Sequence, residues 1–282
     1  MRQWEDRRLD LPPRLYAFRI APHEVSLSDE WPDALAGLPS TAASRACRLR
    51  LPRPVLEAHG GIWLRVLAHL VLGREERREW LRLSTAPMPR RLDWLAGRIA
   101  AKEAVRLLLK PQLGLLRLGD IEIYADPKGR PLVRGPWMDP GGCAPHVTIA
   151  HSGGEALAIA IDGETCAGIG VDLEQVGRVG EVVRRAALTE WEDRWLDAVE
   201  ENARAEWATR LWCAKEAVSK ALGCGLTNGG RDLEVCDVDR GRGVLTLAFG
   251  GSLEEKRVDR LERQIVARTT SDGSVVTGVA VV

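Results

Sequence analysis

The chain has 282 residues, 45% of them hydrophobic and only 5% aromatic, which is enough for one large domain or two modest ones around an ample core. Forty basic residues cancel forty acidic ones; no global field draws the protein to nucleic acid, and any handling of anions must come from local clusters. The cysteines are scattered without a C-x-x-C pair, the first residues (MRQWEDRRLDLPP) lack the apolar core of a signal peptide, and no run approaches the ~18 apolar residues of a membrane span. A reduced, cytoplasmic protein that does not enter the membrane is expected.

In chain order, Leu15–Ile20 reads as a first strand between Pro12-Pro13 and Ala21-Pro22. Residues 26–61 are rich in Pro, Ser, Ala and Arg without a sustained period, and residues 26–72 are set apart as an atypical insertion. Ile62–Leu72 is apolar on nearly all sides and is expected to be a buried helix or strand with His69 packed in the core. Residues 73–82 carry Arg74, Arg77, Arg78 and Arg82, either a solvated helix face or an anion contact.

Leu92–Leu109 is an amphipathic helix. Inside it Ala101-Lys-Glu-Ala-Val105 recurs unchanged at Ala214–Val218, and strand-like segments follow each copy, Ile121–Tyr124 and Leu233–Cys236. This internal repeat predicts two related halves with one site between them. The first copy has Leu107 where the second has Lys220, so the reactive set belongs to the second. His146–Ala150, Ala156–Ile161 and Cys166–Glu174 read as consecutive strands with turns at Ser152-Gly-Gly and Asp162-Gly. A helix over Val183–Leu196, the Trp212 helix and strands over Val244–Phe249, Arg263–Thr269 and Ser274–Val282 complete the chain. The expected fold is α+β, two similar subdomains in one chain (1–135 and 136–282, the second carrying the metal site), and a monomer.

Two short segments carry the chemistry. In the strand Gly168–Glu174, Asp172 and Glu174 share one face because side chains alternate across a pleat. In the helix from Trp212, Glu216 and Lys220 stack at i and i+4, with Lys215 about a hundred degrees round. Two carboxylates on an otherwise apolar strand repel unless a cation lies between them. Glu216 supplies a third oxygen, and such a hard-oxygen set suits Mg²⁺, or Mn²⁺, shared with a phosphate. Either segment alone is more often a strand end or a solvated helix face; the combination in this order is what points to a site.

These residues resemble the 4′-phosphopantetheinyl transferase family, whose (V/I)-G-(V/I)-D-(I/L)-E strand precedes a W-x-x-K-E-(A/S)-x-x-K helix. Gly170–Glu174 and Trp212–Lys220 match it; Gly223-Cys-Gly-Leu226 looks like its G-x-G-L turn, Gly129-Arg-Pro131 its G-(K/R)-P turn and Ala150-His-Ser152 its S-H-S segment, with Ala150 replacing the first serine. The resemblance implies that the arm of coenzyme A passes to a serine of an apo acyl or peptidyl carrier protein, releasing adenosine 3′,5′-bisphosphate. It implies Asp172, Glu174 and Glu216 as metal ligands and Glu216 and Lys220 as catalytic residues. Contacts to coenzyme A would come from His151, Ser152, Arg130, Lys215, Arg78 and Arg82. A non-catalytic carrier-docking module of the same fold and another Mg²⁺-dependent phosphotransferase stay open as alternatives. So does the choice among fatty acid, polyketide and nonribosomal peptide pathways.

Overall fold

The computed structural model describes residues 23–25, 43–114, 116–138, 143–163, 168–226, 229–249 and 264–282. Among these, two antiparallel sheets stand face to face, each with a long helix on its outer side. The first sheet runs in the order β1 (His23–Val25), β2 (Ser44–Arg50), β6 (Glu155–Ile161), β5 (His146–Ser152), and the hairpin β3 (Glu122–Ala125) and β4 (Pro131–Arg134) packs beside β5. The second runs β7 (Ile169–Gln175), β11 (Val275–Val281), β10 (Gln264–Ser271), β9 (Val244–Phe249), β8 (Leu233–Asp239).

Three helices follow β2, namely α1 (Arg53–Val71), α2 (Arg74–Arg82) and α3 (Met88–Leu113). Three follow β7, namely α4 (Glu181–Ala187), α5 (Glu190–Asp197) and α6 (Glu201–Leu222). Apart from β1, each half is thus a strand, three helices and four strands, and the order β2-β6-β5 with β4-β3 beyond repeats as β7-β11-β10 with β9-β8 beyond. The fold is α+β with two similar subdomains, and the two copies of Ala-Lys-Glu-Ala-Val lie on the matching helices α3 and α6.

Strand β6 shows how the layers are cemented. Its period-2 alternation sends Ala156, Ala158 and Ala160 toward α3, where small side chains let the helix approach, and Leu157, Ile159 and Ile161 toward the other sheet. There they meet Ile169, Val171, Leu173, Val275 and Val279. Each fully buried aliphatic side chain of this kind stabilises by ~1.5–3 kcal/mol relative to exposure, so the two halves share one core.

Four expectations change. Strand β6 pairs with β2, and β5 with β6, which carries the first half to Ile161 and not to 135: closing an antiparallel sheet joins strands far apart in sequence. The segment 26–72 is no insertion where it is described, since β2 is an interior strand and α1 packs on the core. Ile62–Leu72 is helical, but only one face is covered; Ile62, Val66 and Leu70 are exposed, and so is His69. The Val183–Leu196 stretch is two helices, split where Thr189 caps α5 by a capping box with Glu192. The strand expected at Leu15–Ile20 lies outside the described residues.

Candidate active site

Strand β7 and helix α6 approach each other more closely than side chains normally allow. A Cβ on Gly170 would stand 1.9 Å from the carbonyl oxygen of Ala217, so only glycine fits here. Asp172, one alternation further along the same face, thereby meets Lys220, whose Nζ donates to Asp172 Oδ1 at 2.7 Å and to the Val171 carbonyl at 3.0 Å. Burial acts to lower the Lys220 pKa, but the Asp172 carboxylate, its hydrogen bond and Glu216 outweigh that and leave it raised. Glu216, one helical turn before Lys220, is raised as well: burial comes first, Lys220 opposes it, and the charge of Asp172 adds to it.

These groups open on a cavity of about 380 Å³ between the halves. From the second half Glu216, Ser219 and Lys220 line it, with Gly223 and Gly225 at the end of α6; from the first half come His146 and His151 of β5, Arg130 before β4, and Trp94 and Arg98 of α3. Gly97 lets β5 lie against α3, since a Cβ there would be 3.1 Å from both the His151 ring and Ile149. His151 keeps one edge open to solvent. The surrounding walls lower its pKa below 6.5, with Asp93 opposing and Lys220 assisting, so it is a neutral hydrogen-bonding imidazole at pH 7.

Of the residues singled out in the sequence, Glu216, Lys220, His151 and Arg130 line this cavity, and Asp172 stands directly behind Lys220. Glu174 is directed elsewhere: its carboxylate accepts from Ser152 Oγ and from its neighbour Gln175 N at 2.8 Å, with Arg178 at 3.9 Å. Among the described residues no three His, Cys, Asp or Glu side chains meet as a metal cage. Asp172 and Glu216 are nevertheless a fitting pair of hard oxygen donors, and the raised Glu216 is a half-buried carboxylate whose charge a divalent ion would offset.

Four of the expected cofactor contacts do not line this cavity: Ser152 is buried with its hydroxyl given to Glu174, and the other three lie elsewhere. Lys215 is wholly buried, its ammonium consumed by Glu192 Oε2 at 2.6 Å and by two carbonyls; it points into the second half's interior because its helix position is about a hundred degrees from that of Glu216. Arg78 pairs with Glu75 at 2.8 Å, and it and Arg82 line a separate depression of about 210 Å³ beside Glu122 and Arg134. Sequence reasoning missed Trp94 and Arg98, which stack at 4.8 Å in the cleft wall. Their signal was available: they precede the first repeat copy on the same helix, which faces the site if the halves are related.

Comparison with known proteins finds relatives of this chain. The family described as the 4′-phosphopantetheinyl transferase superfamily matches residues 168–270. The holo-[acyl-carrier-protein] synthase of Geobacillus sp. (strain WCH70) is 37% identical over 89 residues, 31% of this chain and 70% of that protein. That of Xanthobacter autotrophicus is 35% identical over 97 residues, 30% of this chain and 68% of its own. A solved structure of the Thermotoga maritima holo-[acyl-carrier-protein] synthase aligns with 45% of this chain and 67% of that one at 24% identity and a TM-score of 0.32. With most of the Geobacillus and Xanthobacter proteins matched at these identities and the two site segments inside the matched region, the chain belongs to the 4′-phosphopantetheinyl transferase superfamily, a family of transferases.

Proposed function

We propose that the protein transfers the 4′-phosphopantetheine arm of coenzyme A to a serine hydroxyl of an apo carrier protein. The observation that carries this reading is the convergence of Asp172, Glu216 and Lys220 of one half on a cleft whose opposite wall offers His151 and Arg130. The serine oxygen forms a bond to the β-phosphorus, the bond to the α-phosphate oxygen breaks, and adenosine 3′,5′-bisphosphate leaves. A Mg²⁺ held by Asp172 and Glu216 would supply charge neutralisation on the diphosphate. Glu174, bonded by Ser152 with Arg178 nearby, would reach such an ion directly or through water.

Glu216, with its raised pKa, is suited to take the serine proton directly or through a water. Lys220 stays cationic, since its pKa is raised, and stands one turn away to meet a phosphate oxygen as a point charge. His151, neutral at pH 7, donates a hydrogen bond to a phosphate at the nucleotide end, and Arg130 and Arg98 add charge there. Trp94 and the glycines after α6 shape the walls. Ala150 faces the shared core and offers the ligand no hydroxyl. The chain acts as a monomer, which is supported by both halves of the cleft coming from one polypeptide. No described helix is long and apolar enough to cross a membrane.

The test is to incubate the purified protein with coenzyme A, Mg²⁺ and a panel of apo acyl and peptidyl carrier proteins and to weigh each carrier by mass spectrometry. Addition of the arm to a serine of at least one carrier is expected; every carrier remaining apo would end the proposal.

A further inference from the structure

Both halves hold the same buried device, and only one half has a site for it to serve. In the second half the Lys215 ammonium gives its three protons to Ala187 O at 2.7 Å, Glu192 Oε2 at 2.6 Å and Gly230 O at 3.2 Å. These acceptors sit at the end of α4, on α5 and in the turn before β8. Glu192 is tied in turn to Thr189 N and Val235 N, both at 2.7 Å.

In the first half Lys102 donates to Val71 O at 2.6 Å, to Glu76 Oε2 and to Leu118 O at 3.1 Å. Those acceptors lie at the end of α1, on α2 and before β3, and Glu76 is tied to Gly73 N at 2.8 Å and Ile123 N at 3.1 Å. The two cages match acceptor for acceptor. The residues beyond them do not: Glu103 is paired within its helix by Arg106, and Leu107 stands where Lys220 stands in the other half.

A buried ammonium with all its protons assigned to three separate elements leaves a helix no freedom to roll. We propose that Lys215, with Glu192, is a positioning residue that fixes the rotation of α6, and so holds Glu216 and Lys220 against Asp172, without touching substrate. This rests on the proposed transfer reaction. It also explains why the first half keeps Lys102 although its acidic pair and second lysine are missing: there the cage serves folding alone, and it supplies an internal control.

The test compares Lys215→Met/Glu192→Gln with Lys102→Met/Glu76→Gln. Each neutralises a lysine–glutamate pair, and Arg98, 3.9 Å from Glu76, keeps Glu79 at 3.5 Å, so no charge is left buried without a partner; each also keeps an acceptor for the strand amide. Both should lose thermal stability to a similar extent. Only the first should lower kcat, by about a hundredfold, since small misplacements of catalytic groups cost that much, while the second keeps kcat within about twofold.

Equal kcat in the two variants would overturn the inference. Should the first fail to fold, Glu192→Gln alone, which leaves Lys215 its two carbonyls, is expected to show a smaller kcat-specific loss, and an unchanged kcat would overturn it equally. A crystal structure of the variant gives a readout independent of activity: the 2.7 Å contact between Lys220 and Asp172 should lengthen, and its retention would contradict the positioning role. If the wild type transfers nothing to any carrier, the transfer reading falls, and the contact decides the positioning claim by itself.

Discussion

The two halves share their topology and their buried lysine cages, and differ at the surface where sheet meets long helix. In the first half the positions of β2 that face α3 are Cys47 and Leu49, both wholly buried in an apolar cluster. In the second the positions of β7 that face α6 include Gly170, Asp172 and Glu174. Glu103 is neutralised by Arg106, with Nε–Oε2 at 2.8 Å, whereas the matching Glu216 has no such partner and its pKa is pushed up. One copy of the fold has been closed with hydrophobic packing and an intrahelical ion pair. The other keeps Glu216, a carboxylate whose charge burial disfavours, and perturbed groups of this kind concentrate where binding or chemistry uses them.

Asp172→Ala breaks this contrast most severely. It removes the acceptor of Lys220 and one of two converging carboxylates, and transfer should fall by three orders of magnitude or more, with the fold intact by circular dichroism. Lys220→Ala should lower kcat by about 10²–10³-fold, because the lost charge acts on phosphate oxygens as they gain charge. Leu107→Ala, its counterpart, should cost stability and leave kcat nearly unchanged; a comparable kcat loss in both would mean that the asymmetry between halves is not catalytic.

His151→Ala should raise KM for coenzyme A by about ten- to a hundredfold with little change in kcat, the cost of one hydrogen bond to a charged phosphate being roughly 1.5–3 kcal/mol. The pKa of the imidazole is lowered, so it takes up a proton only at a more acid pH than free imidazole; there it holds phosphate more strongly, which should lower KM in wild type but not in His151→Ala. Coenzyme A lacking its 3′-phosphate should be used about equally by both proteins if that phosphate is the partner, which steady-state kinetics with the shortened substrate would decide.

Glu216→Gln has the smallest expected effect on the fold, and its sign is diagnostic. The folded-state pKa of Glu216 lies above its ordinary 4.5, so the folded protein binds the proton more tightly than the unfolded chain. The charged form then destabilises the fold at neutral pH, and this penalty fades as pH drops from the raised value toward 4.5. Glu216→Gln should therefore melt a few degrees above wild type at pH 7 and equal to it in acid. Glu103→Gln, which breaks the pair with Arg106, should melt at or slightly below wild type at pH 7. Scanning calorimetry across pH separates the two.

Much of this architecture was legible in the sequence. The repeated Ala-Lys-Glu-Ala-Val placed two like helices in matching positions, and the order of acidic strand and Lys-Glu helix pointed to the cleft that holds the candidate site. The boundary between halves was not legible, because β5 and β6 are joined to β2 by pairings across most of the first half. Strand β2 was missed although Cys47, Arg48, Leu49 and Arg50 alternate apolar and charged, since the arginine-rich composition around it masked the period. Periodicity did not reveal that Lys215 would be buried. Yet Lys102, kept in the copy without Lys220, already separated the first lysine's role from the chemistry. The mutual repulsion expected of Asp172 and Glu174 is relieved by partners distant in sequence, Lys220 for one and Ser152 for the other, which no local pattern specifies, with Arg178 four residues on as a weaker local one.

The central claim is that a single metal-assisted site exists and that it lies in the second half. The most direct measurement is an anomalous diffraction map from crystals of the protein grown with coenzyme A and Mn²⁺. The predicted result is one strong peak within coordination distance of Asp172 and Glu216, with the diphosphate of the coenzyme beside Lys220 and the nucleotide end toward His151. A peak beside Glu103, in the Glu75 and Glu122 depression, or at no carboxylate of β7 and α6 would contradict it.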